Sequence, residues 1–285
     1  MTAQAQPLPP GSAIAVEARR TLVLAPHFDD EVLGCGGLVR KLADRGATVR
    51  VLFLTDGSGG MEDIVDRERY AARRVEEARK AIAVLGCAGL ELLGIRDGAL
   101  ADHRARAAEG VRQALRAFRP ELVLVTSPLE VSDDHRAAFV ALFDALRLPE
   151  SAGPREALRS DPEIWLYEVN HPGYPDRLVD VSDCRETLEK AMGCYTSQEE
   201  RHPYLRAGIG LRQFRTHTLS PEVVLAEGYR RVTVDEVRSN ELATLIVALG
   251  GSAGNEVGRL EASMREMSST RTWRIHLFLD RLRGR

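Results

Sequence analysis

The sequence predicts an α/β protein, a doubly wound and mainly parallel sheet of Rossmann-like type, on three observations. Short apolar runs such as Leu22–Ala25 and Glu121–Thr126 alternate with amphipathic stretches of helical length. The links between them are short, which is how parallel strands joined by crossover helices read. Ligand-type side chains follow two of the runs at their carboxyl ends, where open α/β sheets bind their ligands. Parallel crossovers are right-handed almost without exception, so helices should cover both faces.

Leu22–Ala25 reads as a buried strand ended by Pro26, which cannot donate to a continuing ladder. His27, Asp29, Asp30 and Glu31 come immediately past that break. A helix follows over Glu31–Arg45, with Leu33, Val39 and Leu42 among its apolar positions, and Gly46 stops it. Ala47–Leu54 is the second strand and Thr55–Gly60 a flexible loop at its end. Asp66–Leu85 is a long helix rich in Arg and Glu, closed by Gly86. Leu90–Leu93 makes a short third strand before the turn Arg96-Asp97-Gly98. Helix Ala105–Phe118 leads through Pro120 into strand Glu121–Thr126, and the loop Ser127–Asp134 delivers His135 at the start of helix His135–Leu146.

Leu148–Pro162 is irregular. Glu163–Val169 and Leu178–Val181 read as later strands, and Ser182 as the cap of helix Asp183–Tyr195. Beyond Ser197 the pattern is helical and less regular, with a helix over Asp235–Leu249, a break at Gly250–Gly254 and a helical end, Glu256–Arg285. The expected organisation is a loose tail over residues 1–20, an α/β catalytic domain over 21–200, and a helical extension over 201–285 packed on the same domain.

Bulk properties narrow the class. The chain has 285 residues, 44% hydrophobic and 28% charged, with ample length for a core. Its formal net charge of −3 gives no global sign of nucleic-acid binding. The cysteines, Cys35, Cys87, Cys184 and Cys194, form no CxxC pair, which fits a reducing compartment. With no signal-like apolar core near Met1 and no apolar run of spanning length, a cytoplasmic location is expected. Thr270–Arg285 carries five arginines against one aspartate, with Trp273 and Phe278 among them. It reads as a terminal helix packing on its own domain or on a neighbouring subunit of a homo-oligomer, ahead of a helix lying on an anionic membrane surface.

The chemistry concentrates in few residues. A lone His-x-x-Asp is usually a hydrogen-bonded turn, and acidic residues at a helix start suit the helix dipole. A second ligand after a second buried strand changes that reading. His27, Asp30 and His135 together offer two imidazoles and a carboxylate, a set that suits zinc and leaves a coordination position open for catalysis. Asp29, beside ligand Asp30, is placed to accept a proton from water, and Asp134 could order His135 from behind. Gly34 and Gly36-Gly37 do not complete a dinucleotide G-x-G-x-x-G.

Pro26-His27-Phe28-Asp29-Asp30-Glu31 followed by Val32–Gly37 (VLGCGG) resembles the first motif, P-H-P-D-D-E, of the LmbE-like/PIG-L zinc-dependent N-acetylglucosaminyl deacetylases, with Phe28 at the usual proline. Thr55-Asp56-Gly57, Arg74 with Glu77-Ala78, Leu85-Gly86, Asp97-Gly98, Val179–Ser182, Lys190 and Ser197-Gln198 are similar to later landmarks of that family. Ser132-Asp133-Asp134-His135-Arg136 corresponds to its second motif, H-P-D-H-R. The resemblance covers about residues 21–200. It implies that His27, Asp30 and His135 hold zinc, that Asp29 is the general base, and that Arg74 and Asp97 contact substrate.

Ser132 stands where the family places a histidine that helps stabilise the oxyanion, so His171 or His202 is expected to take over that role. The expected activity is hydrolysis of an N-acetyl group on an N-acetylglucosamine-type sugar. The alternatives are a sugar–thiol conjugate amidase and an inactive sugar-binding module that kept its metal pocket.

Overall fold

The computed structural model describes residues 13–59, 66–147 and 161–250. The chain divides into two compact units, Met1–Asn240 and Glu241–Arg285. In the first, seven strands form one sheet: β1 (Arg20–Ala25), β2 (Thr48–Thr55), β3 (Gly89–Ile95), β4 (Leu122–Thr126), β5 (Glu163–Tyr167), β6 (Arg177–Asp180) and β7 (Ala226–Val232). Their spatial order is β3-β2-β1-β4-β5-β7-β6. The first five run parallel, and β7 lies antiparallel between β5 and β6. The α/β, mainly parallel sheet expected from the sequence is the fold observed.

The central strands are apolar because both faces are covered: β4 is buried along its whole length, as is β1 beyond Arg20. Helices α1 (Asp30–Asp44), α2 (Arg67–Leu85), α3 (Arg104–Phe118) and α4 (Asp133–Arg147) supply the crossovers. The side chain of Asp66 caps α2 by accepting from Arg69 N, and Gly86 ends it in the left-handed conformation at φ 81°. Helix α1 is almost wholly buried. At its Gly34 a Cβ would stand 2.1 Å from the Tyr167 ring, so only glycine permits this approach to β5. Helices α5 (Arg185–Met192), α6 (Thr196–Glu199), α7 (Tyr204–Phe214) and α8 (Val234–Ser239) complete the first unit. The described part of the second unit is α9 (Leu242–Leu249).

The largest departure from expectation lies beyond residue 200. The span 201–285 is not purely helical, because β7 joins the sheet between β5 and β6. Its AEGYRRV sequence hides the pattern of a strand behind charges, and Glu227 is nonetheless buried. Glu227 accepts from Gly37 N and Leu38 N, each at 2.8 Å, and from Arg212 of α7, whose Nη2 lies 2.6 Å from its Oε1.

Smaller corrections follow the same lines. Residues 13–19 are not loose: Val16 is buried, and Ile14 N donates to Leu178 O on β6. Ser182 starts a short 3-10 turn instead of capping α5, and its hydroxyl donates to Asp180 Oδ1. The helix expected over Asp235–Leu249 is two, broken where Asn240 and Glu241 are extended. Residues 148–160 of the irregular stretch expected over Leu148–Pro162, residues 251–254 of the expected break, and the helical end Glu256–Arg285 with its basic tail lie outside the described residues.

Candidate active site

Strand order places the site. From β1 the chain winds outward through β2 to β3, then returns to β4 on the other side of β1. Adjacent parallel strands whose connections leave in opposite directions open a crevice at their carboxyl ends. The turns after β1 and β4 meet in that crevice, since Leu24 pairs with Val125 across the two strands. One turn carries His27, Asp29 and Asp30, and the other carries Ser132, Asp134 and His135.

Asp29 occupies the cap position of α1 at φ 123°, a conformation that side chains rarely adopt. Such a residue costs on the order of 1–3 kcal/mol and persists where its surroundings over-determine it. Here Val32 N and Leu33 N donate to its carbonyl, and its own N–H donates to Glu31 Oε2 at 3.2 Å. Arg74 fixes the preceding carbonyl of Phe28. The Phe28 ring is buried against Phe53 and against Gly57, where a Cβ would stand 2.4 Å from it. Glu31, expected only to favour the helix start, is a buried brace that also receives the Tyr195 hydroxyl at 2.5 Å. Burial pushes its carboxyl up to about 8.

Three donor atoms converge beside Asp29. His27 Nδ1 lies 3.2 Å from His135 Nε2, and each lies 3.3 Å from Asp30 Oδ2. Those separations are the edges of a tetrahedral ligand set whose centre is ~2.0 Å from each atom, the usual zinc–nitrogen and zinc–oxygen distance. The opposite nitrogens face carboxylates: His27 Nε2 is 3.1 Å from Asp134 Oδ2 and 3.4 Å from Asp97 Oδ1, and His135 Nδ1 is 3.4 Å from Glu130 Oε2. Carboxylates accept and do not donate, so the ring protons belong on those outer nitrogens. With both rings neutral, the two inner nitrogens and Asp30 are three acceptors facing one another, an arrangement that a metal cation satisfies. The residues therefore fit a divalent metal.

His27, Asp97 and Asp134 form a second acidic grouping. Asp134 is already committed, because its two oxygens accept from Gly98 N at 2.7 Å and Leu100 N at 3.0 Å. It supports His27, not the neighbouring His135 that the sequence suggested.

Electrostatics favours positive charge in this cluster. Burial alone would raise Asp30, but His135 and His27 hold it well below the usual carboxylate range. Burial alone would lower the two imidazoles, but their carboxylate neighbours raise both, His135 to about 9. Asp29 goes the other way: burial raises it to about 7, against the pull of the Arg74 guanidinium 3.6 Å away.

These residues line a cleft of about 210 Å³ that opens to solvent. Arg74 and Asp97 both reach it, although Arg74 is buried and spends contacts on Phe28 O and Asp29. His171 and His202 are exposed and do not line the cleft. Asn170 lines it instead, as do Ser132 and, from beyond the recognised motifs, Arg201 and Tyr204. Glu130 also escaped the sequence reading, because a single loop carboxylate five residues before His135 carries no pattern.

The fold and this cluster define an α/β protein whose sheet carries, at its switch point, a His/Asp grouping that could hold a metal. The family described as PIG-L: GlcNAc-PI de-N-acetylase matches residues 22–146. A diacetylchitobiose deacetylase of Thermococcus kodakarensis is 32% identical over 210 residues, 67% of this chain and 76% of that one. The N,N'-diacetylchitobiose deacetylase of Pyrococcus horikoshii, solved with an inhibitor, superposes with a TM-score of 0.66 at 26% identity, covering 80% of this chain and 89% of that one. A 4-oxalmesaconate hydratase of Pseudomonas putida is 26% identical over 236 residues, 75% of this chain and 89% of that one. The chain belongs to the PIG-L (LmbE-like) family of deacetylases. Among the described residues no helix is long and apolar enough to cross a membrane.

Proposed function

We propose that this protein is a zinc-dependent hydrolase that removes the N-acetyl group from an N-acetylglucosamine-type amino sugar, releasing acetate and the free amine. The observation that carries this reading is the triangle of His27 Nδ1, Asp30 Oδ2 and His135 Nε2 with the Arg74-paired carboxylate of Asp29 beside it. His27, Asp30 and His135 would hold the ion. Bound there, zinc would lower the pKa of a coordinated water toward ~7 and polarise the acetyl carbonyl.

Asp29 accepts the proton of the attacking water and passes it to the departing amine nitrogen, so water is divided between acetate and amine. A base poised near neutrality suits this two-way transfer, and burial supplies that poise. Arg74 keeps Asp29 from rising further and fixes the turn that aims it. Asp97 and Gln198 offer the cleft polar groups for sugar hydroxyls. Among the described residues, His27 and His135 are the only histidines lining the cleft, so the role of the histidine absent at Ser132 falls to the metal. A cytoplasmic location is part of this proposal, supported by four cysteines that are all free.

The relative named as a hydratase motivates one competing reading, addition of water to a carbon–carbon double bond. Acetate and free amine measured after incubation with N-acetylglucosamine and N,N'-diacetylchitobiose decide between them. The expected result is release of both products in equal amounts, abolished by a chelator and restored by zinc. No release from any N-acetylated sugar, together with hydration of an unsaturated dicarboxylate, would overturn the proposal.

A further inference from the structure

Glu130 sits in the loop between β4 and α4, and its side chain is completely buried. A buried carboxylate is costly unless its oxygens are paired. Oε1 accepts from Val169 N at 2.7 Å, and Oε2 accepts from Asn170 N at 3.1 Å and faces His135 Nδ1 at 3.4 Å. Val169 and Asn170 follow β5 and form one wall of the cleft, and His135 belongs to the metal cluster. One carboxylate thus ties the wall and the ligand together.

The chemistry of this contact is directional. Glu130 presents acceptors to His135, so in the neutral ring Nδ1 carries the proton and Nε2 is bare. Nε2 is the nitrogen that faces Asp30 and His27. We propose that Glu130 is a positioning residue: it holds His135 in the one tautomer able to ligate a metal through Nε2, and it anchors the Val169–Asn170 wall through the same carboxylate. The inference rests on the metal reading above.

Glu130→Gln tests it. Glutamine keeps the length and one carbonyl oxygen for Val169 N, but it sets an amide NH2 against His135 Nδ1. The imidazole must then accept there, and its proton moves to Nε2, where it blocks the ligand position. Zinc affinity, measured by competition with a chromophoric chelator, should weaken by roughly 10–100-fold. The melting temperature of the metal-free protein should change little. A wild-type zinc affinity in Glu130→Gln overturns the role of Glu130 alone, whereas wild-type protein that binds no zinc overturns the metal reading with it. If the variant does not fold, the ¹⁵N shifts of His135 in the zinc-loaded wild type decide. A proton on Nδ1 with coordination through Nε2 is expected, and the reverse refutes the proposal.

Discussion

At the β5–β7–β6 end of the sheet, Arg212 and Glu227 are buried together and satisfy one another. At the central β1–β4 crevice, Asp30 and His135 are buried with His27 half-buried beside them, and they do not. The Arg212 guanidinium donates to Glu227 Oε1 and to Val32 O, and the remaining capacity of Glu227 is taken by Gly37 N, Leu38 N and the Tyr229 hydroxyl. Neither residue lines the cleft, and the pair fastens the later part of the chain to α1. In the other cluster the acceptors point at one another and at a cleft, while the donors point away to Asp134 and Glu130. Buried charge that closes on itself is architecture, and buried charge left needing a cation is a site.

That contrast can be tested from both sides, beginning with the largest effect. Asp29→Asn keeps size and polarity and touches none of the three ligands, so metal content and fold should survive. Turnover should fall by roughly 10²–10⁴-fold, about 3–5 kcal/mol of transition-state stabilisation. An Asp29→Asn protein that instead loses its metal would move Asp29 into the ligand set.

Glu227→Ala probes the self-satisfied pair. It leaves the Arg212 charge buried and unpaired, at a cost of about 3–5 kcal/mol in urea unfolding. Metal bound per folded molecule should be unchanged. Loss of metal with stability intact would erase the distinction between the two clusters.

Arg74→Met sharpens the account of Asp29. Burial raises that carboxyl to about 7 and Arg74 opposes the rise. Removing the guanidinium leaves burial less opposed, so the folded-state value climbs further. A base acts only when ionised, so the acidic limb of kcat/KM should move to higher pH, by roughly one unit or more. A limb that stayed in place, or moved to lower pH, would separate Asp29 from the observed titration.

The smallest effects are expected at His171 and His202. Both are exposed and neither lines the cleft, so alanine at each should leave turnover within a few-fold of wild type. A loss on the order of 10²-fold at either, the usual worth of an oxyanion donor, would return that histidine to the mechanism.

How much of this was legible depended on where the determining contact lies. The crevice could be read because its ligands are local: His27 and Asp30 are three residues apart, and His135 follows a second apolar run. Strand β7 could not be read, because Glu227 and Arg230 look solvent-facing until Arg212, fifteen residues before Glu227, neutralises the first of them. Glu130 could not be read either, since the backbone donors that pair it, Val169 and Asn170, lie 39 and 40 residues away. Asp134 was expected to serve the adjacent His135, but the chain direction at the start of α4 turns it toward His27 and the Asp97–Leu100 turn. The split of Asp235–Leu249 into two helices came from extended backbone at Asn240 and Glu241, residues with no strong helix-breaking signature.

The central claim is that His27, Asp30 and His135 form a metal centre, and elemental analysis of purified protein tests it most directly. Wild type should carry one zinc per chain, and His27→Ala and His135→Ala should each lose it while keeping the circular dichroism of the folded protein. Full metal content in both variants, or a wild type that stays active with no metal bound, would contradict the account.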